Sequence, residues 1–451
     1  MGIYEIFKWI YSFEEETKVN LHETVSVLEG EVLLRKNEKG LIFNFGYPHF
    51  KTLYNKEANF NIFHNSFGIK INHYLVKNDN QNFLQRICNV YMFQSMNFND
   101  EKENFHHYYS KIDNVFLISF LQANQIGLSI NIDGFNFKIS TCEICYDIKH
   151  VFLCVECDTK ISFKNFKHYV NNIIVSAAFF TGNFFKLEEL YFQSQFADFS
   201  DLTDVFYRNS NTKYSFPYPI TKFPSEWNWK FKSDFILSKD VENNWSSFID
   251  EKKFKLFVNL LISKPRIYFS IRIIFDFYKS PSISRVSLMF VVLETLCEEL
   301  NIKNTRVEKQ LKQEIGIETL NRLKDKISDE DFNVLNDIVE NIDNKLTNNA
   351  VHFEQTLRSL GMNYSNEERN ILNKRNDFFH GRIIPNSHQI ESEEEFINLE
   401  RKYNYYSLRL YVLISKILLK KIGFDGYFIN YPKIFEDDNE MNLKESYFIK
   451  L

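Results

Sequence analysis

The chain has few cysteines, no excess of basic charge and no long apolar run. With six cysteines in 451 residues, even one C-x2-C pair is a rare chance event. Lys and Arg number 54 against 59 Asp and Glu, a formal net charge of −5. That balance argues against a general polyanion binder and confines any nucleic-acid contact to a local surface or an assembled oligomer. No stretch reaches the roughly 18 uninterrupted apolar residues of a membrane span. The first eleven residues lack a basic segment and run into Glu14-Glu15-Glu16, unlike a signal peptide. Internal repeats are lacking, as is low-complexity sequence apart from the acidic patch at 391–395, which is expected to supply negative charge to a helix start. These absences predict a soluble, cytoplasmic protein with no membrane partner and with reduced thiols.

Aromatic residues are abundant instead. There are 47 Phe and 24 Tyr, 17% aromatic in all, alongside much Asn, Lys and Ile. Because the bias runs through the whole length, it reads as the mark of an A/T-rich coding sequence more than as a base-stacking surface.

The length allows two or three domains, each with its own core. From about 28 to 163, short alternating runs rich in Val, Ile, Phe and Tyr predict strands, among them 115–121, 126–132 and 135–139, with Asp133-Gly134 as a hairpin turn. Helical periodicity marks about 166–180, and a further β-like stretch follows to about Pro219. Prolines at 217, 219 and 224 mark a connector, assigned to 221–244. Beyond it, helices are expected near 248–279 with a break at Pro265, 282–301, 306–327, 330–344, 351–360, 366–381 and 393–422. The fold class is thus α+β multidomain: a β-rich N-terminal sensing or regulatory domain (1–220) and an all-α domain (245–451).

Cys142-Glu143-Ile144-Cys145 and Cys154-Val155-Glu156-Cys157 are two C-x2-C knuckles eight residues apart. Four thiolates on a tight hairpin, about 140–160, suit one tetrahedral structural zinc at about 2.3 Å, with no open position for chemistry. Degenerate knuckles or a redox dithiol are the alternatives. Cys88 and Cys297 read as buried apolar residues.

The second signal is Arg375-Asn376-Asp377-Phe378-Phe379-His380-Gly381. An Arg-x4-His spacing is cheap on its own. Here, however, Arg375 falls within an apolar stripe of Ile371, Leu372, Phe378 and Phe379, where a guanidinium needs a carboxylate, a phosphate or water. His380 stands four residues after Asn376 in the last turn, where the helix dipole favours a protonated imidazole. A salt-bridged Arg and a capping His would give the same pattern. Glu294, in the apolar helix 282–296, is a candidate ion-pair partner for Arg375 or Arg285. Lys374 and Arg382 flank the motif and could touch an RNA backbone, or simply be solvated.

Residues 245–430, with Arg375, Asn376 and His380 in the pattern Arg, polar residue, three variable residues, His, resemble the HEPN superfamily of ribonucleases. The helix at 282–296 also looks like that of the ApeA-type antiphage branch, in which a β-rich domain precedes the helical one. The resemblance implies a HEPN-like bundle acting as a metal-independent endoribonuclease, an abortive-infection toxin of antiviral defence released by a phage-derived trigger. In this reading His380 moves protons, Arg375 holds the non-bridging oxygens and Asn376 orients one of them, with no catalytic metal. A homodimer or higher homo-oligomer through the helical domain brings two motifs together. The alternative is a non-catalytic dimerisation and binding module whose zinc hairpin senses a protein or nucleic acid.

Overall fold

Alternation builds the hairpin that closes one end of the sheet. In the computed structural model, Leu128, Ile130 and Ile132 of β8 (Leu128–Ile132) face the core while Ser129 and Asn131 face outward. Asp133 (φ 50°) and Gly134 (φ 87°) then take the paired left-handed conformations of a two-residue hairpin turn. The chain returns as β9 (Phe135–Cys145) with Ile132 opposite Phe135 and Leu128 opposite Ile139. Gly127 precedes this hairpin at φ 103°, where a Cβ would lie 2.3 Å from the Ile139 carbonyl oxygen, so no other residue fits.

The structure describes residues 3, 7, 17–23, 29–37, 40–46, 60–64, 67–77, 85–95, 98–112, 127–145, 149–181, 183–184, 188–209, 214–215, 249–277, 280–300, 305–324, 326–340, 349–362, 364–380 and 392–451. The strand expected at 115–121 and the connector at 221–244 lie outside them. The chain divides into two compact units, Met1–Leu237 with Ser246–Ile262, and Ser238–Trp245 with Ser263–Leu451.

The first unit is built on a twelve-stranded antiparallel sheet in the order β3-β2-β1-β4-β5-β6-β13-β12-β7-β10-β9-β8. Its strands are β1 (Thr17–Glu23), β2 (Glu29–Asn37), β3 (Gly40–Gly46), β4 (Phe60–His64), β5 (Phe67–Lys77), β6 (Gln85–Ser95), β7 (Glu103–Ile112), β10 (Lys149–Ser162), β12 (Glu188–Ser194) and β13 (Leu202–Asn209), with β8 and β9. A further two-stranded pair joins β11 (Asn183–Phe184) to β14 (Tyr214–Ser215). Helix α1 (Phe163–Thr181) lays Phe163 and Phe166 on the sheet, against Tyr191 and Phe137. Helix α2 (Glu251–Ser263) stacks Phe257 on Phe179 of α1 at 4.9 Å, so it belongs to this unit and not to the helical one. Proline starts α3 (Pro265–Phe277), where a missing N–H is harmless, and the unit boundary falls at that break.

His106 on β7 is fully buried, stacked on Phe166 at 4.7 Å, with Nε2 2.7 Å from the Ile161 carbonyl oxygen. Burial lowers its pKa from 6.5 to about 4, so the folded ring is neutral. The unfolded chain takes up this proton below about pH 6.5 and the folded chain only near pH 4. Stability is therefore lost as pH falls through that window, by about 3 kcal/mol for this ring. Urea unfolding at pH 7 and pH 4.5 checks this: His106→Gln should flatten the pH dependence relative to wild type, and an equal slope would refute it.

The second unit holds α3, α4 (Ser282–Leu300), α5 (Thr305–Leu323), α6 (Asp329–Glu340), α7 (Asn349–Ser359), α8 (Asn366–Asn373), α9 (Arg375–Phe379), α10 (Glu393–Lys421) and α11 (Tyr431–Ile434). α4 packs between α3 and α10. The acidic run does open α10: Ser392 Oγ accepts the Glu395 N–H, and Glu393–Glu395 fill the first turn. The unit is not purely helical. A short antiparallel pair of β15 (Tyr427–Ile429) and β16 (Phe448–Lys450) ends it, its strands too brief for an alternation signal. Among the described residues no helix is long and apolar enough to cross a membrane.

Candidate active site

Motif residues 375–379 form their own short helix. The helix expected at 366–381 breaks at Lys374 (φ −81°, ψ −2°), whose N–H caps α8 by donating to the Ile371 and Leu372 carbonyls. α8 begins with a capping box: Ser365 Oγ accepts the Glu368 N–H at 3.0 Å and Glu368 Oε2 accepts the Ser365 N–H at 2.7 Å. Glu368 Oε1 also accepts from Lys416 Nζ of α10 at 2.6 Å, both side chains being almost wholly buried. α9 is pinned by Phe378, buried against Phe290 of α4 and, edge-on, Tyr403 and Tyr406 of α10.

On this support Arg375 is held from three sides. Its Nε donates to Glu294 Oε1 of α4, its Nη1 to Asn376 Oδ1 at 2.9 Å, and its guanidinium carbon lies 4.5 Å from the centre of the Phe379 ring. Glu294 thus chooses Arg375. Arg285 lies nine residues earlier on α4, about 13 Å along the axis, and donates to Asn404 Oδ1 at 3.2 Å. Nη2 of Arg375 has no hydrogen-bond partner among the described residues.

His380 follows α9, solvent-exposed, with its backbone N–H on the Asn376 carbonyl at 2.9 Å. Asn376 is exposed beside it. Five positions separate Arg375 from His380, about 140° around a helix, so one copy does not aim both side chains at a single point. Lys374 is half-buried with no ion pair among the described residues, and Arg382 lies outside them.

The cysteines are placed differently from expectation. They lie within extended strands, with β9 and β10 joined just after Cys145, and residues three apart on a strand face opposite sides. Cys154 and Cys157 therefore diverge. Cys142 and Cys154, diagonal neighbours on one face, bring their sulfurs to 2.9 Å, with the Cys154 S–H donating to Cys142. That bond lowers the Cys142 pKa, while burial raises those of Cys154 and Cys157. Cys145 pairs with Lys149, eight residues and about 27 Å along the strand from Cys157, and its side chain lies outside the described residues. This register does not fit one tetrahedral ion. Among the described residues no group of three or more metal-ligating side chains is assembled.

One feature that composition and motif spacing could not reveal is a cavity of about 310 Å³ in the first unit. Its floor is a row running across four strands, His107 opposite Glu156, Glu156 opposite Lys138 and Lys138 opposite Ser129. Burial first, then the neighbouring His106 ring and the Lys138 ammonium, lower the His107 pKa to about 4. The only trace in sequence is alternation, which marks these residues as one face without distinguishing a pocket from a solvated surface.

Compared with protein-family models, curated proteins and solved structures, the chain has no match.

Proposed function

We propose that the protein is a metal-independent endoribonuclease that acts as a triggered toxin in antiphage defence. The observation carrying this reading is the posture of Arg375, gripped through Nε by Glu294 and through Nη1 by Asn376, with Nη2 unpartnered among the described residues and the exposed His380 at the end of the same helix. RNA supplies its own nucleophile. The 2′-hydroxyl attacks the adjacent phosphorus, His380 transfers protons, Arg375 offsets the charge growing on the non-bridging oxygens, and Asn376 donates a hydrogen bond to one of them. The products are a 2′,3′-cyclic phosphate and a 5′-hydroxyl. One imidazole per chain makes a thin apparatus, and the divergence of Arg375 and His380 around α9 favours a site completed by a second copy.

The test is RNA cleavage in EDTA by wild type, Arg375→Ala and His380→Ala, in cells exposed to a trigger and with purified protein. Equal activity in all three removes these residues from the chemistry. The engagement of Arg375 with Glu294 and Phe379 also favours a second reading, in which the helical unit is a non-catalytic dimerisation and binding module and Arg375 is an anchor. That reading predicts dimers that cleave no RNA under any condition.

A further inference from the structure

We infer that Cys142 and Cys154 are a reversible redox pair that closes to an intrachain disulfide, and that this is the chemistry of the cysteine motif. The two sulfurs stand 2.9 Å apart on one face of the β9–β10 hairpin. This is less than 1 Å beyond the bonded distance of about 2.05 Å. Continuous pairing from Cys145–Lys149 to Cys157–Phe137 holds the two strands in register on either side of the pair.

The two thiols are not equivalent. Cys142 is partly exposed, whereas Cys154 is 2% exposed and donates its S–H to Cys142. An oxidant reaches Cys142 first, and Cys154 is already in contact to resolve it. With a hydroperoxide, the Cys142 thiolate attacks the outer oxygen, the O–O bond breaks, and the alcohol or water leaves as Cys142 becomes a sulfenic acid. The Cys154 sulfur then attacks the Cys142 sulfur, the S–O bond breaks, and water leaves with the Cys154 proton. Two thiols lose two electrons and the peroxide gains them. Two low-molecular-weight thiols restore the pair by successive exchange, the first forming a mixed disulfide with one cysteine and the second releasing it, and they leave as their own disulfide. Cys157 cannot replace either partner, because strand alternation puts it on the opposite face.

Mapping the disulfides of the full chain decides the matter. Reduced protein is treated with hydrogen peroxide, its remaining thiols are blocked, and it is digested without reduction for mass spectrometry. The expected result is a dominant Cys142–Cys154 cross-linked peptide, loss of two of the six thiols, and full reversal by dithiothreitol. Cys154→Ser should leave Cys142 as a sulfenic acid trapped by dimedone, and Cys142→Ser should leave Cys154 unmodified. The inference is overturned if Cys142 pairs mainly with Cys145 or Cys157 or if no thiols are lost. It is equally overturned if the reduced protein retains one zinc per chain that shields these thiols from peroxide. Mapping on the wild type suffices should a variant fail to fold.

Discussion

Alanine at His380 is expected to lower RNA cleavage by about 10²- to 10⁴-fold, the range for loss of a general acid–base group. The exposed position of the ring makes a collapse of the fold an inadequate explanation for such a loss. Arg375→Lys should be nearly as damaging as Arg375→Ala. Lysine keeps the charge but not the planar fork that lets Glu294 and Asn376 each take one edge of the guanidinium. Glu294→Gln separates orientation from charge: Gln still accepts from Nε, so activity should fall far less than in Glu294→Ala. Thermal unfolding followed by circular dichroism serves as the control. Cleavage by His380→Ala within threefold of wild type, with the fold intact, would sink the proposed role.

The second large effect concerns the support under the motif. Glu368→Ala should destabilise the helical unit by about 3–5 kcal/mol, because it strands a buried Lys416 ammonium and removes the capping box at the start of α8. Removing both charges together, in Glu368→Gln with Lys416→Met, should recover much of that loss, since an uncompensated buried charge is worse than none. Urea unfolding of wild type, Glu368→Gln, Lys416→Met and the double variant completes the cycle, with Glu368→Ala measured beside them. A double variant no more stable than Glu368→Ala would show that the pair is not the reason.

Much of the architecture was legible because it depends on near neighbours. Asp133-Gly134 signals its turn through the positive φ that both residues must adopt, and Pro265 signals the break between α2 and α3 through its missing N–H. Ser392 with the acidic run at 393–395 marks the start of α10. What failed was of another kind. The helix carrying the motif breaks at Lys374, where no proline or glycine announces it, and the short helix that follows packs Phe378 against α4 and α10. The C-x2-C spacing looked like metal knuckles because a local pattern does not say whether its backbone is bent or extended. With the second segment in an extended strand, Cys154 and Cys157 fall on opposite faces.

The sequence by itself determined the β-then-α order of the chain and most helix limits, and it singled out Arg375, Asn376, His380 and the four cysteines as candidates. Those follow from periodicity, capping and composition, which act over a few residues. Only the tertiary structure decided that Glu294 belongs to Arg375 and not to Arg285, that α2 packs with the β-rich unit, and that Cys142 meets Cys154. Each of those depends on which distant segments lie side by side, which packing and strand register settle and local spacing does not encode.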